Sequence, residues 1–366
     1  MQMITDRFRK ELAQFRPYVQ GKPIEVVRRE LGLDRIEKLA SNENQFGPSP
    51  KAVAAMKAEL DGVNFYPEGH PYELVTKLSK RLGVDEDMLI IGNGGEGILW
   101  NIAMTMLNEG DEVIMAYPSF DIYDITAIYF GATCHKVPLI DNHFDIDGML
   151  AKVNEKTKIF WLCTPNNPTG NVCSVAELDR IVAQLPEDVL LVIDEAYYEF
   201  ATARDDYKRD NLEYLKTHDN ILVLRTFSKI YGLAGTRIGY AVANAAVASK
   251  ANMIRQTFGI NRLAQVAALA ALDDEDYLQY VIESNSDALK TMEDYFDSRG
   301  LKYITSYANF IWVDLGVDSK KLFTELEKLG VIIRAGYLWG YDTCARISTG
   351  TKEQMRFLLE CLDQVL

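Results

Sequence analysis

Between about residues 72 and 243, short apolar runs alternate with amphipathic helical patterns, and this constrains the fold more than any other feature of the chain. The runs cover 88–91, 112–116, 133–138, 158–163, 189–194, 220–225 and 238–243. Several are almost unbroken stretches of Val, Ile and Leu, as suits strands covered by helices on both faces. Strand–helix alternation on this scale predicts a mostly parallel α/β sheet, here of seven strands lying between helices. One intervening helix, 174–185, opens with Ser174 and Glu177 at capping-box spacing.

After residue 244 the pattern changes. Helical periodicity covers 245–272 and 276–298, strand patterns follow at 310–314, 331–334 and 345–348, and helical patterns cover 318–329 and 352–366. This predicts a smaller α+β domain at the C-terminal end. The first forty residues are broken by Arg16-Pro17-Tyr18 and Gly21-Lys22-Pro23 and read as an arm. Ser49 and Pro50 supply an N-cap and first position for a helix running to about residue 60. The expected organisation is an arm over 1–40, a large domain over 41–245 and a small domain over 246–366.

Composition narrows the function classes. A formal net charge of −14 argues against nucleic acid, whose phosphates require a basic surface. The five cysteines, Cys134, Cys163, Cys173, Cys344 and Cys361, are scattered and form no C-x-x-C pair. Neither a disulfide framework nor a zinc site is expected, and reduced thiols point to the cytoplasm. The four histidines are not at metal-ligand spacing, and no G-x-S-x-G motif is present. Residues 1–10 lack the apolar core of a signal peptide, and no apolar run reaches the length of a membrane span.

Four stretches carry candidate chemistry. Gly92-Asn93-Gly94-Gly95-Glu96-Gly97 follows a strand and precedes a helix. It matches G-x-G-x-x-G, but Asp111 and Glu112 precede the next strand instead of ending it, so the ribose-binding acid of a dinucleotide site is missing. A phosphate site on the helix N-terminus and a plain tight turn both remain open. Thr164-Pro165-Asn166-Asn167-Pro168-Thr169-Gly170 follows the strand ending at Cys163 and suits either a turn or a ligand loop. Asp194 ends a buried strand, where a carboxylate needs a helix to cap or a cation to meet. In Thr226-Phe227-Ser228-Lys229, followed by Arg237, the lysine is either a solvated loop residue or an amine nucleophile beside a phosphate-holding arginine.

Together, Asn167 in N-P-T-G, Asp194 and Tyr197 in D-x-A-Y, Lys229 in T-F-S-K and Arg237 eight residues on resemble the fold type I pyridoxal-phosphate aminotransferases over essentially the whole chain. Within them the chain looks most like the histidinol-phosphate aminotransferase branch. Arg16-Pro17-Tyr18, Ser41-Asn42-Glu43-Asn44, Tyr66-Pro67, Asn261-Arg262-Leu263-Ala264-Gln265 and Arg346-Ile347-Ser348 carry that likeness.

The resemblance implies pyridoxal 5′-phosphate as cofactor and an amino group moving between L-glutamate or 2-oxoglutarate and histidinol phosphate or imidazole-acetol phosphate. Lys229 is then the amine that holds the cofactor and serves as general base, and Asp194 the partner of the ring nitrogen. Tyr197 and Asn167 face the phenolic oxygen, and Phe120 stacks on the ring. Gly94, Gly95, Glu96, Thr226, Ser228 and Arg237 cradle the phosphate. Tyr66 reaches that phosphate from a second subunit, which implies a homodimer whose interface includes the N-terminal arm. Arg346 takes the substrate carboxylate, Arg334 and Tyr18 its distal anion, and Asn167 also borders the substrate. Gly95-Glu96-Gly97, Thr257-Phe258-Gly259-Ile260, Thr236 and Ala345 depart from the common pattern and bear on the substrate, not the reaction class. The rival activities are an aromatic amino-acid aminotransferase and a phospho-amino-acid decarboxylase of the same fold. A non-catalytic regulatory module is disfavoured, since the chain has no room for an appended DNA-binding domain.

Overall fold

The computed structural model describes residues 4–366 apart from 14, 16, 18 and 19. The arm contributes a short strand, β1 (Glu37–Lys38). The large sheet is built from β2 (Leu89–Gly92), β3 (Glu112–Tyr117), β4 (Thr133–Pro138), β5 (Thr157–Cys163), β6 (Leu190–Asp194), β7 (Ile221–Thr226) and β8 (Gly239–Ala243). Their order across the sheet is β2-β8-β7-β6-β5-β3-β4. Only β8 runs against its neighbours, so the sheet is mostly parallel.

Side-chain alternation explains why these strands read as continuous apolar runs. Ile91, Phe160, Leu162, Leu191, Ile193 and Val223 join one buried cluster, while Ile90, Ile159, Trp161, Leu190, Val192 and Leu222 join a second on the other face. Each face is roofed by helices, so successive residues of a strand are all withdrawn from water.

The smaller unit holds β9 (Lys302–Ile304), β10 (Phe310–Asp314), β11 (Val331–Ile332), β12 (Arg334–Ala335) and β13 (Cys344–Ser348). Four of these form an antiparallel sheet in the order β12-β13-β10-β9, packed on a third apolar cluster with the helices Ser319–Lys328 and Lys352–Val365. The fifth, β11, pairs in parallel with β1 of the arm. The strand expected over 331–334 is therefore two strands, because its halves pair with different partners on either side of Ile333.

The helical stretch expected over 245–272 is also two elements, Ala245–Met253 and Arg262–Ala271. The second starts at Asn261, whose side chain accepts a hydrogen bond from the Ala264 N–H at 2.8 Å. Its alanine face packs on the helix Pro50–Glu59, which Ser49 caps as expected. Buried apolar residues from Ile260 to Val281 belong to the first cluster of the large sheet, and Ala288, Leu289, Met292 and Phe296 to the third. No helix among the described residues is long and apolar enough to cross a membrane.

Candidate active site

The C-terminal ends of β2, β5, β6 and β7 lie along one edge of the large sheet, where a parallel arrangement leaves loops and helix starts facing a common space. A cavity of about 600 Å³ opens there. Its lining includes Gly95, Glu96, Phe120, Asn167, Asp194, Tyr197, Thr226, Ser228, Lys229, Arg237 and Arg346.

Lys229 follows β7 by three residues. Its Nζ donates to the carbonyls of Asn42 at 3.2 Å and Ser41 at 3.4 Å, and lies 5.4 Å from the centroid of the Tyr197 ring. Burial pushes its pKa down to about 8, and the cations of Arg346 and Arg237 push the same way against the opposing pull of Glu43 and Asp194.

Asp194 ends β6. One carboxylate oxygen accepts the Tyr123 O–H at 2.7 Å, and the other accepts the Ala196 N–H at 3.1 Å. Burial raises its pKa, while these hydrogen bonds and Lys229 hold it down. Its neighbour Glu195 forms a buried ion pair with Arg225 at 2.8 Å, which ties the end of β6 to the end of β7. The Arg225 guanidinium also bonds Asp210 at 2.8 Å and lies 3.4 Å from the Tyr198 ring centroid. The backbone positions that carry Asp194 and Thr226 are thereby pinned together from behind.

The loop after β5 is fixed by Asn166, which ties it to the turn after β3 and to Thr169 of the loop itself. Ser119 Oγ donates to Asn166 Oδ1 at 2.7 Å, and Asn166 Nδ2 donates to the Pro118 carbonyl at 3.0 Å and to Thr169 Oγ1 at 2.7 Å. Asn167 is thus held at the cavity, where its Oδ1 accepts from Arg346 Nη1. Arg346 Nη2 also donates to the Ala40 carbonyl at 2.5 Å. Phe120 meets Tyr123 edge-on, with centroids 5.8 Å apart.

At the opposite end, the helix Gly94–Met106 points its N-terminus at Arg237. The two approach so closely that a Cβ on Gly94 would lie 2.8 Å from Arg237 Nη2. Gly94 has φ +75°, which favours glycine. Thr226 and Ser228 stand beside this point, the Thr226 hydroxyl donating to Ser228 Oγ at 3.0 Å.

Other expected residues lie elsewhere. Arg334 is buried but does not line the cavity; it sits directly opposite Arg346 in the β12–β13 pairing. Both guanidiniums lie 5.6 Å from the centroid of the Trp339 ring, and the Asp121 carboxylate faces Arg334. Tyr66 is 78% exposed, stacked on Phe258 outside the cavity. Tyr18 lies outside the described residues. Sequence reasoning did not single out Tyr123, although it follows Phe120 by three residues, and it named Asn42 only within a stretch carrying the family likeness, with no role in the site; the Asn42 amide donates to the Tyr197 hydroxyl at 2.9 Å.

The family model for aminotransferase class I and II matches residues 34–362. The histidinol-phosphate aminotransferase 2 of Carboxydothermus hydrogenoformans is 43% identical over 98% of this chain and 99% of its own length. The histidinol-phosphate aminotransferase of Moorella thermoacetica is also 43% identical, over 98% of this chain and 92% of its own. Among solved structures, the histidinol-phosphate aminotransferase of Sinorhizobium meliloti in complex with pyridoxal-5′-phosphate superposes with a TM-score of 0.90, at 30% identity over 98% of each chain. The chain belongs to the class I and II aminotransferases.

Proposed function

We propose that the protein is a pyridoxal-phosphate-dependent histidinol-phosphate aminotransferase, moving an amino group between L-glutamate or 2-oxoglutarate and histidinol phosphate or imidazole-acetol phosphate. The observation that carries the substrate half is the direct cross-strand pairing of two buried arginines, Arg334 and Arg346, next to a cavity floored by a lysine amine. Like charges directly opposite on a sheet repel. Asp121 faces Arg334, and guanidinium forks set side by side suit a substrate phosphate or carboxylate.

The residues also fit the cofactor. A guanidinium held against a helix N-terminus sets positive charge on positive dipole, an arrangement that an intervening phosphate relieves. The backbone around Gly94, Gly95 and Glu96, with Thr226, Ser228 and Arg237, would hold that phosphate. Lys229 would hold the cofactor through its amine, Asp194 its ring nitrogen, and Tyr197 and Asn167 its phenolic oxygen, with Phe120 against the ring. When bound, the cofactor supplies an electron sink for negative charge at the substrate α-carbon.

The chain's own work is positioning and proton transfer. Arg346 orients the substrate anion, and Arg334 extends the binding charge behind it. Lys229 would serve as the general base, taking the proton from the substrate α-carbon and delivering it to the cofactor carbon that the amine had held. An amine with pKa about 8 is neutral in about a tenth of molecules at pH 7, far more often than an ordinary lysine. Asp194 stays ionised once a ring N–H⁺ faces it, because a close cation favours the carboxylate.

The active unit in this reading is a homodimer. The exposed stack of Tyr66 on Phe258, with exposed Val63 and Phe65 close by in the chain, supports it, since apolar surface of this kind marks an interaction site.

The test is a half-reaction. Cofactor-loaded protein is mixed with histidinol phosphate, L-glutamate or L-phenylalanine, and loss of visible absorption is followed. Histidinol phosphate and glutamate should discharge it. Discharge by phenylalanine but not by histidinol phosphate would replace this reading with the aromatic one, and release of CO₂ would replace it with decarboxylation.

A further inference from the structure

Asn42 uses every polar group it has on the candidate site and on the strand that carries Arg346. Its backbone φ is +54°, in the left-handed region that favours glycine and asparagine, and it is almost completely buried. Its carbonyl accepts from Lys229 Nζ at 3.2 Å and from Asn309 Nδ2 at 3.0 Å. Its N–H donates to Ser348 Oγ at 2.9 Å, and the Ser348 hydroxyl donates back to Asn42 Oδ1 at 3.0 Å. Ser348 is two residues beyond Arg346 on β13, which also bonds Ala40. Three successive carbonyls, Ala40, Ser41 and Asn42, are therefore shared between the arginine and the lysine.

The side-chain amide completes the arrangement. Asn42 Nδ2 donates to the Tyr197 hydroxyl at 2.9 Å. A phenol oxygen that is already accepting from one side has its own proton left to donate on the other. Asn42 and Tyr197 both line the cavity, so a proton left free on the phenol has that space beside it. The charged and titratable groups facing Tyr197 are Lys229, Arg346, Cys163 and Asp194.

We propose that Asn42 is a positioning residue: its amide occupies one face of the Tyr197 oxygen so that the phenol proton points into the cavity, while its carbonyl keeps the Lys229 amine beside the same space. The inference rests on the cofactor assignment above. With cofactor bound, the directed phenol proton falls on the cofactor's phenolic oxygen and stabilises its anionic form. Withdrawing that proton favours the protonated form, so the pH midpoint of the cofactor's visible absorption moves up.

The experiment measures that midpoint in cofactor-loaded Asn42→Asp and Asn42→Gly. The carboxylate of Asn42→Asp captures the Tyr197 proton and should raise the midpoint by about one pH unit. Asn42→Gly keeps the left-handed backbone and the carbonyl but frees the phenol, and a smaller rise is expected. In a Tyr197→Phe background both shifts should vanish, because the cycle then removes the group through which Asn42 acts. Melting temperatures are recorded alongside. A fall in melting temperature with unchanged midpoints would mean a purely structural role and overturn the proposal. A shift that persists in the Tyr197→Phe background would overturn it as well. Should the Asn42 variants fail to fold, Ser348→Ala, which releases Asn42 Oδ1 and N–H from their partner, must raise the midpoint in the same Tyr197-dependent way. A wild-type protein that develops no visible band with pyridoxal phosphate would instead bring down the cofactor reading itself, and this inference with it.

Discussion

Lys229 sits where burial and two arginines work against its charge, and its pKa of about 8 sets a pH signature. Only the neutral amine attacks a carbonyl, so the neutral fraction should govern how fast cofactor-free protein captures pyridoxal phosphate. The capture rate should rise about tenfold per pH unit below 8 and level off above it. Stopped-flow measurement of the growing visible band checks this, and a flat profile between pH 6 and 8 would remove the perturbed lysine from the account. Lys229, Asp194, Asn167, Tyr197 and Arg237 were legible in the sequence only as a set: each stretch alone left a bland alternative open, and the resemblance carried by the motifs together singled them out, as residues that here line one cavity. Tyr123 and Asn42 were not. Their partners Asp194 and Tyr197 are 71 and 155 residues away, and only tertiary packing brings a tyrosine or an asparagine from elsewhere to them.

At the scale of elements, the central strands were legible because two-sided burial writes an unbroken apolar run into each of them. The two-residue strands β1 and β12 leave no comparable trace, since their existence depends on a partner strand and not on local preference. The break at 254–261 was hidden for another reason: alanine-rich sequence on both sides sustains helical periodicity across it. The helix Gly94–Met106 gives the sharpest test. Gly94→Ala must place a methyl group 2.8 Å from the Arg237 guanidinium at a φ of +75°. A left-handed alanine costs about 1–2 kcal/mol, so binding of pyridoxal phosphate should weaken roughly tenfold. Pyridoxal without its phosphate should bind as it does to wild type, and equal weakening of both would show that the helix N-terminus is not the phosphate site.

For the whole molecule, the placement of Tyr66 outside the cavity gives the subunit reading a direct check. Lys229→Ala and Tyr66→Ala should each be impaired at limiting cofactor, for different reasons. Reassorting the two variants should produce mixed dimers with one intact site, and recover up to about a quarter of wild-type activity. No recovery, with mixed dimers demonstrated by mass, would place Tyr66 in its own subunit's function.

The pairing of β1 with β11, together with the Arg346–Ala40 and Ser348–Asn42 bonds, joins the beginning of the chain to its end. The carbonyl ledge beneath Lys229 is therefore held from two sides, by Tyr197 and Lys229 of the large sheet and by Arg346 and Ser348 of β13. A chain deprived of β13 should keep the apolar clusters of the large sheet but lose one side of that support, so its site should fail before its sheet does.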